Sequence, residues 1–200
     1  MLSRLKPALV FLAACALSAG ASAHIGVDDH AHTGFMTGFM HPLTGMDHLA
    51  AMVAVGLWSA LTARRAGPDL WWGPVGFASM LWVGALMGLQ GWALPAVEPM
   101  VAASLLVMGL LVISRRRVAG AGAAALVGAF AVFHGLAHGQ EWAGSVNATS
   151  ALAGMLSTTV LLHATGLGLG WMLRSAPVWV PRVAGAAVAV FGVSLLTQLA

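Results

Sequence analysis

Two short histidine-bearing stretches hold most of the chemistry available to this chain. The first, His41-Pro42-Leu43-Thr44-Gly45-Met46-Asp47-His48, sets a carboxylate beside an imidazole, the hard oxygen and borderline nitrogen donors that suit a divalent first-row cation. Pro42 fits the opening turn of a helix, where its missing N–H would be unpaired anyway, so Asp47 and His48 are expected about one turn inside, with Met52 on the same face as His48. The second stretch is Phe133-His134-Gly135-Leu136-Ala137-His138-Gly139-Gln140-Glu141. Its His134 and His138 are spaced i, i+4, so both rings project from one helix face and can share an ion. His163 lies inside a later apolar run near Thr158, Thr159 and Thr165, placed as the next station along a path. Upstream, His24, Asp28, Asp29, His30 and His32 fall close together, and a free N-terminal histidine chelates through amine and imidazole together. A plainer reading stands beside each: His41 as a helix cap, His163 as a hydrogen-bonding partner for a neighbouring helix, Asp47 with His48 as a buried pair locking two helices, and the upstream segment as a solvated tail.

The background against which these residues stand is a bilayer solvent. The 200 residues are 60% hydrophobic and 8% charged, against roughly 25% charged in an ordinary soluble domain. Apolar runs of membrane-spanning length, about 20 residues, recur with short connections, which leaves no room for a separate soluble domain. The fold class expected is all-α: a polytopic transmembrane helical bundle of about six spans after a cleaved signal peptide. Hydropathy places the spans near 43–62, 70–90, 96–113, 118–138, 149–173 and 178–198. The formal charge of +3 comes from a few arginines in short clusters, not from a basic face able to track phosphates, so no nucleic-acid partner is expected.

Residues 1–23 carry a basic start (Arg4, Lys6), an apolar core and the small triplet Ala21-Ser22-Ala23, the pattern of a secretory signal peptide. Cleavage after Ala23 would expose His24 and remove Cys15, the single cysteine, so that the mature chain has neither disulfide nor thiolate ligand. An uncleaved anchor remains open, as does lipid attachment at Cys15, since Leu12-Ala13-Ala14-Cys15 has the form of a lipobox. Residues 24–42 then form an external histidine-containing segment, and 43–200 the membrane domain. Arg64 and Arg65, Arg115 to Arg117, and Arg174 with Arg182 mark the odd-numbered connections, whereas the second and fourth carry Glu98 and Glu141 without lysine or arginine. The positive-inside rule therefore puts the odd connections in the cytoplasm and the mature N-terminus outside, at a bacterial inner membrane. The first span then runs inward and the fourth outward, so both histidine stretches arrive at the external side.

Many of the 25 glycines lie inside the spans, where small residues let helices approach in lipid. Of the 8 tryptophans, Trp71, Trp72, Trp92, Trp142 and Trp179 fall near span ends and read as headgroup-level anchors. Two groups of three spans would have inverted topology, an arrangement common in transporters, although no clear sequence repeat accompanies it.

Taken together, the motif from His41 to His48, the motif from Phe133 to Glu141, and the plan of a signal peptide followed by about six spans resemble the HupE/UreJ family of nickel and cobalt permeases over essentially the whole chain. The resemblance implies secondary transport of Ni²⁺, or Co²⁺, into the cytoplasm for hydrogenase or urease maturation. Carried over, it implicates His41, Asp47 and His48 from the first motif and His134, His138 and Glu141 from the second. The metal is then transported substrate and no cofactor is implied; the partners are the ion and the lipid bilayer. Two other classes compete: a membrane-embedded zinc hydrolase using His48, His134 and His138 as ligands with Asp47 or Glu141 positioning water, and a bis-histidine haem protein using a pair such as His134 and His163. A hydrolase keeps a stoichiometric metal and a haem protein is coloured, whereas a permease loses its ion and moves it.

Overall fold

The structure, a computed structural model, describes residues 34–118 and 120–199. The expected signal peptide, Cys15 and the upstream cluster of His24, Asp28, Asp29, His30 and His32 lie outside the described residues. Within them the chain is helical: α1 Phe35–Thr44, α2 Met46–Thr62, α3 Trp72–Leu89, α4 Val97–Ser114, α5 Ala121–Glu141, α6 Ala148–Leu173 and α7 Trp179–Gln198, with a 3₁₀ turn at Pro68–Leu70 and no strand among the described residues. Helices α3 to α7 are each long and apolar enough to cross a membrane, and α2 is a shorter apolar helix of 17 residues. Leu110, Val160, Leu161, Met172, Val190 and Val193 are exposed on these helices. Faces apolar both inward and outward are what lipid requires of a span.

The helix break at Gly45 is the main departure from the expected elements. Pro42 does not open the first span; it lies inside α1, near its end. A helix interior tolerates proline poorly because a hydrogen bond is lost, and α1 stops two residues later. Gly45 is extended (φ −82°, ψ 107°) and donates its N–H to the His41 carbonyl at 3.0 Å. Its own carbonyl accepts from Leu49 N at 2.9 Å, which starts α2. Asp47 consequently sits in the first turn of α2, where the helix dipole favours a carboxylate.

In series, α1 and α2 follow the full length of α6, about 39 Å at 1.5 Å per residue. Gly38 abuts Ala151, and Thr158 Oγ1 donates to the Phe39 carbonyl at 2.5 Å; farther along, Gly56 abuts His163 and Gly166, and Gly170 abuts Leu57 and Ala60. Partner numbers rise together, so this pairing is parallel. Helices α3 and α5 also pair in parallel, with Gly76 against Ala124, Gly84 against Val132 and Gly88 against Gly139. Helices α4 and α7 run antiparallel, Gly109 meeting Gly185 and Ala189 while Gly192 meets Ala102 to Leu106. The close approach is absolute at Gly135, where a Cβ would overlap the Leu81 carbonyl. With α1 and α2 counted as one interrupted element, exchanging the first three elements with the last three maps the first pairing onto the second and the third onto itself. That is the packing of an inverted repeat.

One end of the bundle is arginine-rich. Arg117 Nη2 bonds Asp69 Oδ2 at 2.5 Å, Trp58 Nε1 donates to the Arg116 carbonyl at 2.9 Å, and Arg174 Nη2 donates to the Ala63 carbonyl at 2.7 Å. These bonds tie the connection after α2 to the connections after α4 and α6. The break at Gly45 and the C-terminus of α5 lie at the opposite end.

Candidate metal centre

The break in the first element and the last turn of α5 bring three imidazoles together. His41 comes from the final turn of α1, His48 from the first turn of α2, and His138 from the last turn of α5. One ring nitrogen from each lies within 4.8 Å of the other two. His48 and His138 are buried and His41 is partly buried.

The hydrogen bonds fix which nitrogens face inward. His48 Nδ1 meets Asp47 Oδ1 at 2.8 Å, and His138 Nδ1 meets Glu141 Oε2 at 3.4 Å. A neutral imidazole has one N–H. A carboxylate can only accept, so each Nδ1 carries the proton and each Nε2 presents a lone pair. Those two Nε2 atoms stand 2.6 Å apart. Two bare lone pairs repel at that distance and are reconciled by a positive centre between them, a single shared proton or a metal ion. Two nitrogens bound to one ion at about 2.0–2.1 Å stand about 2.9 Å apart at a right angle and about 3.3 Å apart at a tetrahedral one, so an opening of about 0.3–0.8 Å suffices. A carboxylate behind each of the two rings is the arrangement that, where histidines bind a metal, orients them and raises their basicity.

Neighbouring residues close the site. Trp142 is buried and stacks on His138, centroids 5.7 Å apart, and makes a T-shaped contact with His41 at 5.9 Å. It is a wall of the site, not the lipid anchor its position near a span end suggests; its i+4 spacing from His138 was the available signal. At Gly45 a Cβ would stand 3.1 Å from His48 Nδ1 and 3.2 Å from Asp47 Oδ1, so a side chain there would crowd the oriented pair.

The i, i+4 partners of the second motif do not share this cluster. His138 joins His41 and His48, whereas His134 is fully buried one turn deeper, its ring 5.3 Å from that of His48. Asp47 and Glu141 lie on the Nδ1 side of their histidines, outside the three-nitrogen group. His163 is buried still deeper, against Phe77. Ser104 was not singled out from the sequence, although a hydroxyl within the apolar run of α4 was its signal; its Oγ lies 2.9 Å from His134 Nε2.

The family model of the HupE / UreJ protein matches residues 12–195. The chain belongs to the HupE/UreJ family. Its relatives include Protein HupE of Rhizobium leguminosarum bv. viciae, 42% identical over 186 residues that make up 92% of this chain and 94% of that protein. No solved structure matches the chain. The resemblance seen in the two motifs is therefore the right one, and this HupE/UreJ member is a multi-pass membrane protein whose two motifs meet in space.

Proposed function

We infer that this protein is a secondary permease that carries Ni²⁺, or Co²⁺, across the bacterial inner membrane into the cytoplasm for maturation of a metalloenzyme such as hydrogenase or urease. The observation that carries the reading is the pair of Nε2 atoms of His48 and His138 facing each other at 2.6 Å, each with a carboxylate behind it. His41 completes a three-nitrogen entry site, Asp47 and Glu141 set its tautomers and negative charge, and His134 and His163 lie on the way inward. The arginine-rich end of the bundle is cytoplasmic by the positive-inside rule, which makes the entry site periplasmic, together with the mature N-terminus. His24, next to the signal-peptide cleavage point, belongs to a tail that collects the ion. Few ligands of modest strength suit conduction, because a carried ion has to leave as readily as it enters. The sequence holds no nucleotide-binding loop, which leaves an ion gradient, the membrane potential or passive flow down the nickel gradient as the drive.

Three imidazoles also make up the protein ligand set of one class of catalytic zinc site, which keeps the hydrolase reading in view. Uptake separates the two. Radiolabelled nickel is supplied at sub-micromolar concentration to bacterial cells lacking their own importers and expressing this chain or its His48→Ala and His138→Ala variants, matched for membrane level. Uptake by the parent that both variants lose, with competition by cobalt, supports the permease. No uptake by a correctly inserted parent, with one tightly held zinc per chain after purification, supports the hydrolase.

A further inference from the structure

Below the three-histidine cluster, two buried imidazoles each keep a nitrogen with no hydrogen-bond partner among the described residues: His134 Nδ1 and His163 Nε2. Leaving a buried polar atom unpaired costs about 1–3 kcal/mol, so these two ring nitrogens, among five such side-chain atoms in the described residues, call for a reason. Both rings contact the same side chain. Phe77 of α3 lies 5.6 Å from His134 and 5.2 Å from His163, centroid to centroid, and is itself buried.

The proton inventory shows what His134 offers. Ser104 Oγ donates its single hydrogen to the Val101 carbonyl at 2.6 Å. It must then accept from His134, so the imidazole proton sits on Nε2, 2.9 Å away. Nδ1 is left as a bare lone pair in the protein interior, which is the form a cation binds. His163 lies about 22 Å along α6 from Ala148 at 1.5 Å per residue, well inside the membrane. A crevice beside Phe77, lined by Ala51, Val55, Ser104, Met108, Val127 and Phe130, is too narrow to hold water. Nothing polar is left to satisfy the two nitrogens while the ring stands against both.

We propose that His134 Nδ1 and His163 Nε2 form a second, inner binding site for a divalent first-row cation, occupied when the Phe77 ring, which stands against both imidazoles, turns aside. The proposal rests on the permease reading and adds to it a gate and a station. An ion leaving His48 passes to this inner site through His134, whose ring lies 5.3 Å from that of His48. Two neutral imidazoles hold such an ion weakly enough to release it, and the apolar ring keeps the path dry between passages.

The test is the number of cobalt(II) ions bound by the purified full-length chain in detergent, measured by equilibrium dialysis. The parent is expected to hold one ion, at the outer cluster. Phe77→Ala is expected to hold two, and Phe77→Ala combined with His163→Ala one. Phe77→Leu retains more core volume and carries the same expectation if the alanine variant fails to accumulate. Ser104→Ala in the Phe77→Ala background is expected to weaken the second ion about tenfold, in the range for loss of a residue that orients a ligand. His163→Ala alone should keep the outer ion yet lose at least tenfold in nickel uptake. A Phe77 variant that binds no more cobalt than the parent overturns the proposal, as does a second ion that survives His163→Ala. If the parent holds none while Phe77→Ala holds one that His163→Ala removes, the inner site stands and the outer one falls.

Discussion

Replacing Asp47 with asparagine isolates what the carboxylate contributes to the entry site. Asp47 Oδ1 accepts from His48 Nδ1 at 2.8 Å, which holds the proton on Nδ1 and the lone pair on Nε2. Asparagine removes the charge, and whenever its amide turns its NH₂ toward the ring it forces the opposite tautomer, pointing an N–H at the ion. Loss of such an orienting partner costs about 10–100-fold in metal affinity, or about 1.4–2.8 kcal/mol at 1.4 kcal/mol per tenfold. The equivalent change Glu141→Gln should cost less, about tenfold or below, because its bond to His138 is longer at 3.4 Å and its side chain is 35% exposed. The assay is competition between purified protein and a chromogenic chelator for nickel at fixed pH, with uptake measured in parallel. Equal losses for the two variants, or no loss for Asp47→Asn, would refute the argument that these carboxylates act by orienting the rings.

Three further outcomes follow from the packing. Gly135→Ala places a methyl on the Leu81 carbonyl and should cost about 1–3 kcal/mol as overpacking does, read as a lower thermal midpoint and reduced membrane accumulation. Gly45→Ala crowds Asp47 and His48 and should weaken nickel binding severalfold while the helical circular-dichroism signal stays unchanged. Asp69→Asn breaks the pair with Arg117, which is partly exposed and worth about 0–1 kcal/mol; nickel affinity should not change, because the pair lies at the other end of the bundle.

Much of the architecture was legible because lipid imposes it. The apolar runs, the arginine clusters and the two histidine motifs gave the helices, their alternation and the end at which the motifs meet. Pro42 fits a first helical turn as well as a last one, and only the extended Gly45 that follows shows that it stands near the end of α1. The i, i+4 spacing of His134 and His138 identifies a shared face, not the residue standing across from it. In the bundle that face of α5 sends its two rings to different partners: the break at Gly45 delivers His48 to His138, and His134 is left to Ser104 of α4. The places of Asp47 and Glu141 behind the rings depend on side-chain rotamers, and so does the role of Trp142. Composition and spacing carry neither.

Reconstitution of the purified chain into liposomes containing a trapped nickel-sensitive dye, with a membrane potential imposed negative inside, tests the central claim most directly. The account predicts nickel entry that saturates, is inhibited by cobalt, and falls at least tenfold in His48→Ala and His138→Ala vesicles with equal protein content. Entry at the rate of protein-free liposomes, or entry unaffected by either substitution, would contradict it.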